Sequence, residues 1–288
     1  HIIGGLGNQM FQYAMGRALS LQNRRALKLD ISDFENYKLH QGFELQRLFN
    51  APISIATPSE IRDVLGWQAS RFAKPWVMRP TLSGLRRNSF VVEPHFNYWP
   101  QISTVPSECY LHGYWQTEKY FERSTFEIRE DFTFKFPLKG RNAELAEHMT
   151  RGNSVSLHVR RGDYVRNSRT NATHGVCSIE YYQSAIEYIL ERVKHPILYV
   201  FSDDIEWVKQ NLRTHLPTEY IDHNQGAASH FDMRLMSLCR HHVIANSSFS
   251  WWGAWLNPDP NKIVIAPRKW FAANIDTGDL LPATWTRL

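Results

Sequence analysis

From Asn142 to Ala266 the sequence alternates between short apolar runs of strand length and segments whose apolar residues recur at helical spacing. This alternation constrains the fold more than any other feature. Parallel strands need a crossover of a dozen or more residues, and a helix supplies it, so the pattern predicts a parallel sheet with helices on both faces. Strands are expected at Val155–Val159, Pro196–Phe201, Tyr220–Ile221, His242–Ala245 and Lys262–Ala266. Helices are expected at Asn142–Thr150, from a Ser178 cap through Ile179 to Val193, up to Leu212, over Phe231–Cys239 and over Trp251–Leu256.

Within the first of these strands Val155, Leu157 and Val159 point one way, while Ser156, His158 and Arg160 point the other. Such a period-two pattern reads as a half-buried strand with an imidazole and a guanidinium at its C-terminal end. Ligands of open α/β sheets collect at that end. Arg161-Gly162-Asp163 then turns the chain away. Two consecutive guanidinium forks suit a bound anion, although a solvated basic turn with Asp163 as ion-pair partner fits the same residues. Two further strand ends are polar, at Ser202-Asp203 and at Asn246 to Ser250. Ser247, Ser248 and Ser250 precede a helix, where hydroxyls and unpaired amides either bind phosphate or cap the helix. Together with Arg160 they suggest a metal-free diphosphate clamp. No Asp-x-Asp motif and no His/Cys/Asp cluster at ligand spacing is present, so neither a metal nor another cofactor is expected.

The first residues read as a βαβ unit: Ile2-Ile3, a Gly4-Gly5-Leu6-Gly7 turn, a helix carrying Met10, Phe11, Ala14, Met15, Ala18 and Leu19, then a strand over Arg25–Asp30. Asn8 is placed to cap that helix. Gly5-x-Gly7 with Asp30 partly resembles a dinucleotide fingerprint, which keeps a nucleotide-binding oxidoreductase as an alternative. Met10 stands at the third glycine position, however, and would prevent close helix–strand packing. The turn still aims backbone amides at an anion or a sugar. Thr57-Pro58-Ser59-Glu60 is a capping box opening a helix that ends near Gly66. Residues 67–99 are rich in arginine and aromatics and match no simple pattern. Tyr110 to Gln116 reads as a strand leading into a helix near Lys119, and Phe136–Gly140 as the boundary between domains 1–140 and 141–288.

The 288 residues carry a net charge of +5, mostly through arginine. The arginines are dispersed, which argues against nucleic acid, and the charge is compatible with a phosphorylated small molecule or an anionic membrane face. No apolar run approaches the roughly 18–20 residues that span a bilayer, and no signal peptide is visible. Three scattered cysteines, Cys109, Cys177 and Cys239, indicate a reducing compartment. A cytoplasmic location is therefore expected, with peripheral association at the inner membrane face compatible with the charge.

Three separated stretches resemble the motifs of bacterial α-1,2-fucosyltransferases, glycosyltransferase family 11. They are Gly4 to Gln12 (GGLGNQMFQ), His158 to Tyr164 (HVRRGDY) and Asn246 to Ala254 (NSSFSWWGA). His112–Gln116 and Thr173–Cys177 also fit, while residues 67–108 match nothing. The resemblance implies an α/β, GT-B-like fold of two Rossmann-like domains facing a cleft. Domain 1–140 would lie on the acceptor side and domain 141–288 would bind GDP-fucose. It implies inverting transfer of L-fucose from GDP-β-L-fucose to the 2-hydroxyl of a galactose-terminated glycan, as in O-antigen or related surface glycans. A fucosyltransferase of different linkage is the alternative within that group.

Donor-binding residues implied in this way are Gly5, Asn8, His158, Arg160, Asp203, Asp232, Ser247, Ser248 and Phe249. Similarity to the wider fucosyltransferase group puts Arg160 on the β-phosphate with Ser248 opposite. It also puts His158 and Asp232 at the guanosine, and Asn8 near the fucose or acceptor. Arg161 is expected to brace its motif through an internal ion pair. Catalytic roles fall to Arg160, which would stabilise the leaving diphosphate, and to a base that takes the acceptor proton. Asp163 is the first candidate base because it follows the clamp, with an ion pair to Arg161 as its other reading; His174 and Glu93 are alternatives.

Overall fold

The computed structural model describes residues 1–36, 40–162 and 172–288. The chain divides into two compact units, one of residues 1–135 with 277–280, the other of 136–276 with 281–288.

The first unit is built on α1 (Leu6–Asn23), which is buried around most of its circumference by Met10, Phe11, Tyr13, Ala14 and Met15. The helix starts after Gly5, and no side chain caps it. Asn8 therefore lies inside the first turn and is not the expected cap. Further on, α2 (Pro58–Leu65) carries the complete Thr57–Glu60 capping box. Regular strands among the described residues of this unit are short: β1 (Phe90–Val92) and β2 (Tyr110–His112), paired in parallel. The predicted strand over Arg25–Asp30 reduces to a parallel bridge between Leu29 and Ile55. Single backbone bonds extend the layer, from His1 N to Leu111 O, from Ile2 N to Asp30 O and from Leu29 N to Ser54 O. Gly4, at φ +89°, turns the chain immediately after Ile3, so the ladder stays short. Beyond β2 the expected helix near Lys119 is a single 3-10 turn, Glu118–Tyr120, and α3 (Thr125–Asp131) follows.

The second unit is a doubly wound α/β layer. In chain order it comprises α4 (Gly140–Arg151), β3 (Ser154–Val159), α5 (Ile179–Leu190), β4 (Ile197–Ser202), α6 (Ile205–Asn211) and β5 (Thr218–Ile221). It continues with α7 (His230–Leu238), β6 (His241–Val243), α8 (Ser248–Leu256), β7 (Val264–Ala266) and β8 (Thr286–Arg287). The six strands run parallel in the order β5-β4-β3-β6-β7-β8. Strand order therefore reverses between β3 and β6, and ligands of such sheets bind beyond the strand ends at that reversal.

Two apolar layers sandwich this sheet. Val155, Leu157, Val159, Leu198 and Val200 face Tyr182, Ala185, Ile186 and Ile189 of α5. Tyr199 and Phe201, on the opposite face, meet Leu145 and Met149 of α4 and Leu235 and Met236 of α7. The period-two alternation of β3 holds, but its polar face is buried too: all six residues are inaccessible. Ser156 and His242 show how that burial is satisfied. Asn257 Nδ2 donates to His242 Nε2 at 2.9 Å, which places the imidazole proton on Nδ1, 2.9 Å from Ser156 Oγ. Burial holds His242 neutral. On α8, Trp251, Trp252 and Trp255 pack with Trp285 at centroid distances of 5.0–6.2 Å.

Candidate functional site

Two motifs stand at the ends of β3 and β6, the neighbouring strands where the order reverses. Arg160 leaves β3 and pairs with Asp203 at 2.9 Å from Nη1 to Oδ2. The other Asp203 oxygen accepts the Arg161 backbone N–H at 2.9 Å. Both carboxyl oxygens of Asp203 thus hold the arginine turn. Gly162 is required here, because a Cβ would lie 2.5 Å from Asp203 Oδ2. Arg161 lies over the Trp207 ring at 3.5 Å, with Nε 3.5 Å from Asp204. Its ion pair is internal, as expected, but the partner described is Asp204. Asp163 lies outside the described residues.

Opposite, Ser247 caps α8 by accepting the Phe249 N–H at 3.3 Å, and buried Ser250 turns its hydroxyl back to the Ala245 and Ser247 carbonyls. Capping therefore accounts for Ser247, while Ser250 braces the turn from inside the helix. Ser248 stands first in the helix, at the positive end of its dipole. Phe249 packs its ring 6.0 Å from the His158 imidazole and ties the two strand ends together. Burial pushes His158 down to about 4, against Asp203, so it is neutral at physiological pH. Its Nδ1 is buried with no hydrogen-bond partner among the described residues.

Asp232 does not cap α7; Ser229 precedes that helix, and Asp232 lies in its first turn. Its Oδ1 accepts from Asn224 Nδ2 at 2.8 Å, and no partner to Oδ2 occurs among the described residues. Burial raises this carboxyl to about 7, with the Asn224 hydrogen bond opposing. Sequence reasoning missed what holds it. Asn224 and Asn142 form a reciprocal amide pair at 2.9 and 3.0 Å, and His223 Nε2 donates to Asn142 Oδ1 at 2.8 Å. Amides brought together from α4 and from the loop after β5 leave no sequence pattern.

Asn246 spends its amide on the His174, Gly175 and Trp270 carbonyls at 2.9–3.3 Å, pinning the 174–177 loop. His174 lines a 360 Å³ cavity with Cys177, Tyr181, Arg268 and Phe271, its ring 5.3 Å from Phe271.

In the first unit the Gly4-to-Gln12 motif works as a clasp. Gln9 donates to the Gly4 and Gly42 carbonyls and accepts from Glu44 N, at 2.8–2.9 Å. Gln12 joins Ile3 N to the Gly113 carbonyl, and Asn8 Oδ1 accepts from Gln116 at 2.7 Å. Gly5 faces the His40 ring at 3.4 Å from its ideal Cβ position. Glu93 follows β1 and accepts from Tyr114 N at 2.7 Å and Trp115 N at 2.9 Å. Burial lifts its carboxyl to about 7 despite those two donors. The described residues contain no cluster of three or more His, Cys, Asp or Glu side chains arranged to hold a metal.

The glycosyl transferase family 11 model matches residues 97–287. The chain is 38% identical to an Escherichia coli alpha-1,2-colitosyltransferase over 291 residues, covering 100% of this chain and 97% of the relative. The chain belongs to glycosyl transferase family 11. It is also 33% identical to the O-antigen biosynthesis glycosyltransferase WbnK of E. coli, with 99% and 98% covered. A Bos taurus galactoside 2-alpha-L-fucosyltransferase SEC1 is 27% identical, over 88% of this chain and 62% of that protein. Among solved structures, the NodZ alpha-1,6-fucosyltransferase soaked with GDP-fucose matches with a TM-score of 0.50 at 14% identity, covering 88% and 90%. That likeness concerns the fold, and it agrees with the parallel α/β layers. This family 11 chain is a glycosyltransferase whose relatives include α-1,2-fucosyl and colitosyl transferases. None of its described helices is long and apolar enough to cross a membrane.

Proposed function

We propose that this glycosyltransferase moves L-fucose from GDP-β-L-fucose to the 2-hydroxyl of a terminal galactose, with inversion, in O-antigen or related surface glycan synthesis. The observation that supports the reading is the placement of Arg160 and the Ser247–Ser248 helix start just beyond the ends of the neighbouring strands β3 and β6, where the order reverses, in a chain 38% identical to an α-1,2-transferase. In this reading Arg160 turns its fork from Asp203 to the β-phosphate and the α8 amides with Ser248 hold the opposite side. Charge growing on the departing GDP is stabilised there. His158 and Phe249 flank the nucleoside, and Asp232 accepts the N1–H and 2-amino group of guanine. The 1–140 segment binds the acceptor in a GT-B-like arrangement, with Gly5 and Asn8 on the sugar side. No metal enters the proposed reaction.

A base must take the acceptor proton, and a carboxyl near pH 7 suits that task. Of the candidates within the described residues, Glu93 has such a proton affinity. His174, whose backbone carbonyl anchors Asn246, is the other candidate within the described residues. The 38% identity to a colitosyltransferase favours one further donor, GDP-colitose, whose sugar lacks the 3-hydroxyl of fucose. Incubation with GDP-fucose or GDP-colitose and lactose, N-acetyllactosamine or type 1 disaccharide decides between them. Release of GDP with an α-1,2-linked product from GDP-fucose is expected; turnover with GDP-colitose alone, or another linkage, overturns the reading.

A further inference from the structure

Residues 66–87, which precede the segment matched by the family model, fold into a run of short turns: Gly66–Ala69, Lys74–Val77 and Pro80–Leu85. Hydrogen bonds close these turns on one another. Gln68 donates to the Leu85 carbonyl and accepts from Arg87 N, while Arg86 donates to the Val77 and Met78 carbonyls. The inward side is Leu65, Gln68 and Val77, and Leu65 and Val77 join Phe90 and Tyr110 in a small core. The outward side is unusual. Trp67, Phe72, Trp76 and Leu85 are 61%, 72%, 59% and 61% exposed. Arg71, Arg79 and Arg87 are exposed among them, and from Gly66 to Asn88 there is no acidic residue.

We propose that this outward side of residues 66–87 docks the protein on an anionic lipid bilayer. The surface goes beyond the sugar-transfer reading and does not depend on it. Tryptophan favours the headgroup level, where its ring is half apolar and half wet, and arginines beside it meet lipid phosphates. Clustered apolar side chains of this size on a soluble surface mark an interaction site. The charge complementarity selects an anionic partner. Single-stranded nucleic acid fits less well, because Arg71 lies 4.9 Å above the Phe72 ring and Arg79 4.8 Å above the Trp76 ring. Those faces are already occupied, and Leu85 offers a base nothing to stack on. Lys74 takes no part, being committed to Asp30 and Tyr110.

The test uses the full chain and vesicles of phosphatidylcholine, alone or with about 40% phosphatidylglycerol, an anionic surface of known strength. Co-sedimentation is expected with the anionic vesicles only, weakening as salt rises. Brominated acyl chains should quench tryptophan emission. Trp67→Ser with Trp76→Ser should remove the quenching, and Arg71→Glu with Arg79→Glu should lower partitioning by about tenfold or more. Melting curves and turnover with a soluble acceptor should match the parent protein for both pairs, since all four residues lie on the outward surface. Three results overturn the proposal: no binding to anionic vesicles, binding that both pairs leave intact, or equal capture by a single-stranded oligonucleotide. A dimer in light scattering that the tryptophan pair abolishes, without vesicle binding, also overturns it and assigns the surface to a second copy.

Discussion

Arg160 is held ready by a carboxylate, and that arrangement says what a ligand must do. Asp203 pairs with the guanidinium, and in the proposed reaction a diphosphate must compete with it for the same fork. Lysine would keep the charge and lose the fork. Arg160→Lys is expected to lower turnover by at least two orders of magnitude with an unchanged melting temperature, since one oxyanion-type donor is worth roughly 3–4 kcal/mol. A near-parental rate in steady-state assays would make Arg160 a scaffold residue. Asp232 gives a second prediction, on pH. Its carboxyl is raised to about 7, so at pH 6 it is mostly protonated and offers guanine's two donors one acceptor fewer. GDP affinity measured by calorimetry should therefore rise as pH increases through 7 and level off above it. Asp232→Asn should flatten that profile and reduce the preference for GDP over IDP, which lacks the 2-amino group. An unchanged profile would assign the dependence to another group.

At the scale of elements, two serine caps with similar geometry should behave differently. Ser178 starts α5 by accepting Tyr181 N at 3.3 Å, directly after the Thr173–Cys177 stretch; Ser247 starts α8 after β6, the neighbour of Arg160's strand. Each serine-to-alanine change costs about 1 kcal/mol of stability, or roughly 2 °C. Only Ser247→Ala should also weaken GDP binding in a thermal-shift titration; equal binding by both variants would argue that the α8 start does not touch the donor. Much of this layer was legible beforehand. Period-two and helical spacing from Val155 to Ala266 located five strands and their helices to within a few residues, and Thr57 to Glu60 announced its own capping box. The failures have physical causes. Ser156 and His158 read as part of a half-exposed face because polar side chains alternate there, yet both are buried, and His242 from β6 partners Ser156. β8 has only two residues and no periodicity to detect. The Asn142–Asn224 pair supporting Asp232 joins residues 82 apart, a relation no local pattern carries.

The whole molecule balances its diphosphate chemistry on fixed side-chain charge in the proposed reaction, so turnover should be unchanged by EDTA. Loss of activity on chelation, restored by Mn²⁺ or Mg²⁺, would require a different account of the leaving group. The family 11 model matches residues 97–287, and the basic, aromatic outward surface of residues 66–87 lies before that segment. That separation lets catalysis and surface attachment be altered independently. The tryptophans of α8 have a consequence of another kind. Trp251 and Trp255 lie parallel at 6.2 Å, and Trp252 stands nearly edge-on to both. Indoles so close share their excited states, which gives a paired circular-dichroism band and quenched emission unlike those of an isolated tryptophan. Because the helix that carries them begins at Ser248, the protein contains its own optical probe: light absorbed at one end of α8 reports whether the other end is properly formed.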